Sequence, residues 1–168
     1  MKSHSKWIKT DLHIHSIESN KYKKNDYKGS EYTGEELLKV LISNLVGIFS
    51  ITDHNSINLK LYTEIFDELK KTEYSSKISV LVGTELDIFD ERLHDKRIHV
   101  LCIFESKDYK NISRVINELT AKNSEGVYPD IKKHFRYLKK MIYSNLSLFH
   151  TLTIKLMVYH QAMTKLII

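Results

Sequence analysis

Four short stretches of this chain carry side chains suited to binding a cation. His13 and His15 are separated by one residue. Asp53 and His54 are adjacent. Glu85 follows Gly83-Thr84, and His99 lies in an apolar run, Arg97-Ile-His-Val-Leu-Cys-Ile-Phe104. A His-x-His pair on an extended strand points both imidazoles the same way, which is what capture of one ion by two ligands requires. Glu85 adds a carboxylate able to bridge two cations, and His54 and His99 add nitrogens. Nitrogen and oxygen ligands without sulfur suit Zn²⁺, Mn²⁺ or Fe²⁺. Taken singly, each residue has an ordinary structural role open to it. Asp-His often turns a strand end, a carboxylate is usually solvated, and a histidine in an apolar strand is usually a satisfied core residue. Their succession on four strand ends favours a shared metal site.

The elements that must position them follow from periodicity. Residues 7–16 alternate, with Ile8, Leu12 and Ile14 on one face and Asp11, His13 and His15 on the other. Thr33 and Glu36 form a capping-box pattern ahead of a helix reaching about Asn44, with Leu37, Leu38, Leu41 and Ile42 on one side. Residues 46–54 are apolar on both faces, as in a buried parallel strand. A helix over 57–71 uses Leu61, Ile65, Phe66 and Leu69. Strands at 78–88 and 97–104 follow, then helices near 108–121 and 130–143. Strands separated by helical patterns predict parallel β-α-β units and an α/β fold. In such folds, sites are built at the carboxyl ends of the strands.

Composition bounds the rest. The 168 residues are 42 % hydrophobic and 28 % charged, the material of one soluble domain or a piece of a larger one. A single cysteine, Cys102, excludes a disulfide framework and a cysteine zinc cluster. The nine histidines are about twice an average share. The net charge of +5 permits an anionic substrate without requiring nucleic acid. No charge-free apolar run is long enough for a bilayer and no leader pattern precedes the first strand, so the expectation is a cytoplasmic protein with no membrane partner. A loop at 18–32 holds Lys21, Lys23, Lys24 and Lys28 among tyrosines. It is a candidate for drawing in a phosphate or a nucleic-acid backbone, or an ordinary solvated loop.

Asp11-Leu12-His13-Ile14-His15-Ser16, Ile51-Thr52-Asp53-His54, Gly83-Thr84-Glu85 and His99-Val100-Leu101 resemble, in order, the early motifs of the polymerase and histidinol phosphatase (PHP) superfamily of metal-dependent phosphoesterases. The start, Ser5–Asp11, is similar to PHP domains that precede AAA-type ATPases. The resemblance covers about residues 5–140. It implies a distorted, TIM-like β/α barrel, seven-stranded in the family, of which this chain holds a partial or truncated version. It implies one to three divalent metals, with His13, His15 and Glu85 on the first. Glu85 would bridge to a second that His99 also binds, and His54 would serve a third. Asp53 would orient the strand end or His54. It further implies a phosphate-ester substrate, a nucleotide or nucleic acid among the candidates, and an ATPase or polymerase partner. The alternative is a non-catalytic metal-binding module that regulates such a partner.

The sequence also departs from the family. The ligand expected soon after the first pair falls on Asn20, a poor metal ligand. Of the late ligands, only His150 is a candidate. The tail 146–168 has no Gly, Pro, Asp or Glu, and it reads as one amphipathic helix or a pair of strands outside a PHP-like domain spanning 1–145.

Overall fold

The computed structural model describes residues 7–22, 24–71, 73–89, 97–120 and 157–159. In chain order these form β1 (Lys9–Ile14), a 3-10 turn (Ile17–Lys21), α1 (Gly34–Ser43), β2 (Val46–Ile51), α2 (Leu59–Lys71), β3 (Ser79–Phe89), β4 (Arg97–Phe104), α3 (Tyr109–Thr120) and β5 (Met157–Tyr159). The strands make one sheet in sequence order, β1-β2-β3-β4-β5. β1, β2 and β3 are parallel, with α1 and α2 in the crossovers. β4 and β5 are antiparallel to their neighbours. This is a mixed α/β sheet, consistent with a partial distorted barrel.

Helix starts follow local chemistry. Thr33 Oγ1 accepts the Glu36 amide, and the Glu36 carboxylate accepts the Thr33 amide at 2.8 Å, which satisfies two N-terminal donors of α1. Asn58 Oδ1 accepts the Leu61 amide at 3.0 Å and opens α2, two residues later than the periodicity predicts. The apolar stripes Leu37, Leu38 and Leu41 of α1 and Leu61, Tyr62 and Ile65 of α2 are buried. They meet Phe49 and Ile51 of β2 and Val82 of β3 in the core, joined by Ile116 of α3. Gly34 lets α1 approach α2: a Cβ there would stand 2.7 Å from the Ile65 amide nitrogen and 2.9 Å from the Glu64 carbonyl carbon.

Three expectations change. β1 is shorter than 7–16, and Trp7 and Ile8 are exposed. β2 ends at Ile51, three residues short of the expected 54. The step from β3 to β4 is antiparallel, so His99 does not lie at a carboxyl end: it is the third residue of β4, and the reversal brings it opposite Asp87. The helix predicted at 130–143 lies outside the described residues. So does the tail 146–168, apart from β5, which pairs with β4.

Candidate metal centre

At the head of the sheet β1 carries His13, and His15 follows just past its end at Ile14. The next turn is held in place by Asp53, which is fully buried just beyond β2. The Asp53 carboxylate accepts the Ser16 amide at 2.6 Å, the Ser16 hydroxyl at 2.7 Å and the Ser19 hydroxyl at 2.9 Å. Ser19 Oγ in turn accepts the His54 amide at 3.2 Å. A buried carboxylate requires such donors to offset its lost hydration. Here they also tie the end of β1 to the start of the His54 segment.

Beyond β2, His54 pairs with Glu85 of β3 as an isolated parallel bridge. Asn55 follows with φ 51°, in the left-handed region that asparagine tolerates. Its side chain accepts the Asp87 amide at 2.9 Å, and its own amide donates to the Glu85 carbonyl at 2.8 Å. Glu85 therefore sits partway along β3, level with the residues just past the end of β2.

The side chains converge. His13 Nε2 and His15 Nε2 are 3.0 Å apart, and they lie 3.0 and 2.9 Å from Glu85 Oε2. The other carboxylate oxygen, Glu85 Oε1, is hydrogen-bonded to His99 Nδ1. His54 Nε2 lies 3.7 Å from Glu85 Oε2 and 3.3 Å from Asp26 Oδ2, while its Nδ1 is 3.2 Å from Asp87 Oδ1. Asp87 also lies 3.4 Å from His99 Nε2. His15 Nδ1 is 2.6 Å from Asp26 Oδ2.

Two of these residues, Asp26 and Asp87, escaped the sequence reading. Asp87 carried a signal: two residues after Glu85 in a strand, it shares its face. Asp26 carried none, because it sits in irregular chain eleven residues after His15. Asn20, the position aligned with a ligand, instead shapes that loop. Its amide donates to the Tyr27 carbonyl and accepts the Tyr27 amide, both at 2.9 Å. Asn25, with φ 62°, turns the chain just before Asp26.

The environment sets the protonation of the cluster. Burial pushes the Glu85 carboxyl up, but hydrogen bonds from His13, His15 and His99 outweigh it and hold the group well below the usual carboxylate range. Burial draws His15 down, and Glu85 and Asp26 more than reverse this, leaving it above the ordinary histidine value.

The donor set fits a cation. Ligands about 2.0–2.1 Å from a tetrahedral ion stand roughly 3.3 Å from one another. The His13, His15 and Glu85 contacts are of that order. Three overlapping groups have donor atoms within 4.8 Å of one another: His13, His15 and Glu85; His15, Asp26 and His54; His54, Glu85 and His99. Asp87 on His54 Nδ1 and Asp26 on His15 Nδ1 are placed to receive a ring N–H, which leaves each Nε2 lone pair facing the centre.

Lys21 is exposed and pairs with Glu18 at 2.7 Å, and Lys24 is exposed. Lys23 and His150 lie outside the described residues. Among the described residues no helix is long and apolar enough to cross a membrane.

No protein-family model matches the chain, and no curated protein matches it. Among solved structures it is similar to a crystal structure of a Bifidobacterium adolescentis protein named as a candidate metal-dependent phosphoesterase. The two share 19 % identity with a TM-score of 0.43, over 89 % of this chain and 42 % of that one. The chain thus spans less than half the length of that protein.

Proposed function

We propose that this centre holds one or two divalent cations, zinc, manganese or iron, and hydrolyses a phosphate ester. The observation that carries the reading is the sharing of Glu85 between two donor groups. One of its oxygens faces His13 and His15, the other faces His99, and His54 stands beside both. A bound cation would supply Lewis acidity toward a phosphoryl oxygen and a water acidified toward neutral pH. The chain's own part is to fix the donors. His13 at the end of β1 and His15 just past it present two nitrogens side by side. Asp26 and Asp87 orient the rings of His15 and His54, and Asp53 ties the strand ends together. His13, with its side chain 41 % exposed, marks the side open to substrate. A partner that is an ATPase or polymerase, and a role for the 18–32 lysines in holding phosphate, belong to the same proposal.

The test combines elemental analysis of the purified full chain with hydrolysis of bis(p-nitrophenyl) phosphate in added Mn²⁺. The expected result is retained metal and slow turnover, both lost in the His13→Ala/His15→Ala double variant. A folded chain without metal overturns the reading. Retained metal without turnover of any phosphoester leaves the metal-binding module and removes the enzyme.

A further inference from the structure

Pairing between β2 and β3 breaks over two positions just below the centre. The ladder runs from Ile48↔Ser79 to Ile51↔Val82 and resumes at His54↔Glu85 with the same offset. The two pairs between, Thr52 with Gly83 and Asp53 with Thr84, are skipped. The hydroxyl of Tyr62, a fully buried residue of α2, lies at the edge of this gap, beside the last pair before it. It accepts the Ile51 amide at 3.0 Å and the Gly83 amide at 3.1 Å. It lies 2.8 Å from the Ile51 carbonyl oxygen and 3.1 Å from that of Leu81, and donates its single proton to one of the two. One side-chain oxygen from a helix thus joins backbone groups of both strands. Burial pushes the phenol up, so it stays protonated and able to donate. Side chains have little room at this level: a Cβ on Gly83 would stand 2.4 Å from Ser50 Oγ and 2.6 Å from Thr52 Cγ2.

We propose that Tyr62 is a positioning residue for the metal centre. Its hydroxyl spaces β2 from β3, so that the strands separate and then meet again with His54 and Glu85 at the height where their side chains converge. The inference rests on the metal-site reading. His54 is three residues beyond Ile51 and Glu85 is two beyond Gly83, so any shift at the hydroxyl passes along very short backbone paths to two donors on different strands. With the hydroxyl gone, the strands must either close on each other or leave two amides without an acceptor. Either response moves Glu85 relative to His54.

The experiment titrates the metal-free full chain with Co²⁺ alone, reading the visible ligand-field bands, for the wild type, Tyr62→Phe and Ile65→Val. The last loosens the same helix without touching the gap. The expected result is Co²⁺ affinity about tenfold weaker in Tyr62→Phe with a shifted band, against an unshifted band and near wild-type affinity in Ile65→Val. Wild-type affinity and spectrum in folded Tyr62→Phe overturn the proposal while the metal site stands. Equal losses in the two variants also overturn it, as general loosening. A wild type that takes up no Co²⁺ overturns the metal site itself, and this proposal with it. Should Tyr62→Phe not fold, 4-aminophenylalanine at 62 keeps the shape but removes the acceptor for the Ile51 and Gly83 amides. The same loss is expected there, and unchanged binding overturns the proposal.

Discussion

Glu85→Gln separates the electrostatics of the centre from its shape. The side chain is 4 % exposed, and its Oε2 lies 2.9 Å from His15 Nε2 and 3.0 Å from His13 Nε2. In metal-free protein, a protonated His15 at that distance attracts the carboxylate by roughly 5–6 kcal/mol at an effective dielectric constant of about 20. The cost of desolvating both groups offsets part of this. Breaking a buried pair costs about 3–5 kcal/mol, and His15 can shed its proton, so a penalty near 3 kcal/mol is expected where His15 is charged. Where it is neutral, only a hydrogen bond to a carboxylate is lost, and glutamine replaces part of it, leaving about 1 kcal/mol.

The pH dependence has a definite sign. His15 is raised on folding, so its contribution is complete below its unfolded value and fades as pH rises through the folded one. Glu85 is depressed, so its contribution persists above the unfolded carboxylate value and is lost only in strong acid. Urea unfolding of metal-free wild type and Glu85→Gln between about pH 5.5 and 9.5 should therefore show a penalty that shrinks by about 2 kcal/mol toward alkaline pH. Elemental analysis of the metal-loaded variant should show bound metal at least halved, since two donor groups lose one shared residue. A penalty that is flat in pH, or that grows with it, would refute the ion-pair reasoning. Full metal content would refute the sharing.

Asp26→Asn should weaken cation binding by about 10–100-fold, because both His15 and His54 lose a carboxylate partner; calorimetric titration with Mn²⁺ measures it. Asp53→Asn should cost about 1.5–3 kcal/mol in urea unfolding, since an amide NH₂ would face Ser16 Oγ, which already accepts from Asn58. Gly34→Ala would gain up to about 1 kcal/mol from helix propensity in open space, yet it should destabilise by about 1–3 kcal/mol because its Cβ meets the α2 backbone. A raised thermal midpoint for Gly34→Ala would show that α1 can shift away.

Much of this protein was legible one segment at a time. Strand alternation put His13 and His15 on one face, and the Thr33–Glu36 box marked the start of α1, because both effects act within four residues of chain. Parallel order in the first three strands followed from the helices between them. The completed cluster depended on the tertiary structure. Asp26 reaches His15 and His54 only through the fold of an irregular loop, and no local periodicity marks a loop residue's destination. His99 faces Asp87 because β4 reverses, a choice of partner edge that its own apolar pattern leaves open. Tyr62 stands beside the stripe of Leu61, Ile65, Phe66 and Leu69 that the helical pattern names, and that pattern gives it no role. Its hydroxyl acquires a role only where two strands, brought together over some thirty residues of chain, leave a gap of two pairs. Local interactions select helix, strand and face, whereas distant side chains are matched by register and strand direction, which are settled only when the sheet is assembled.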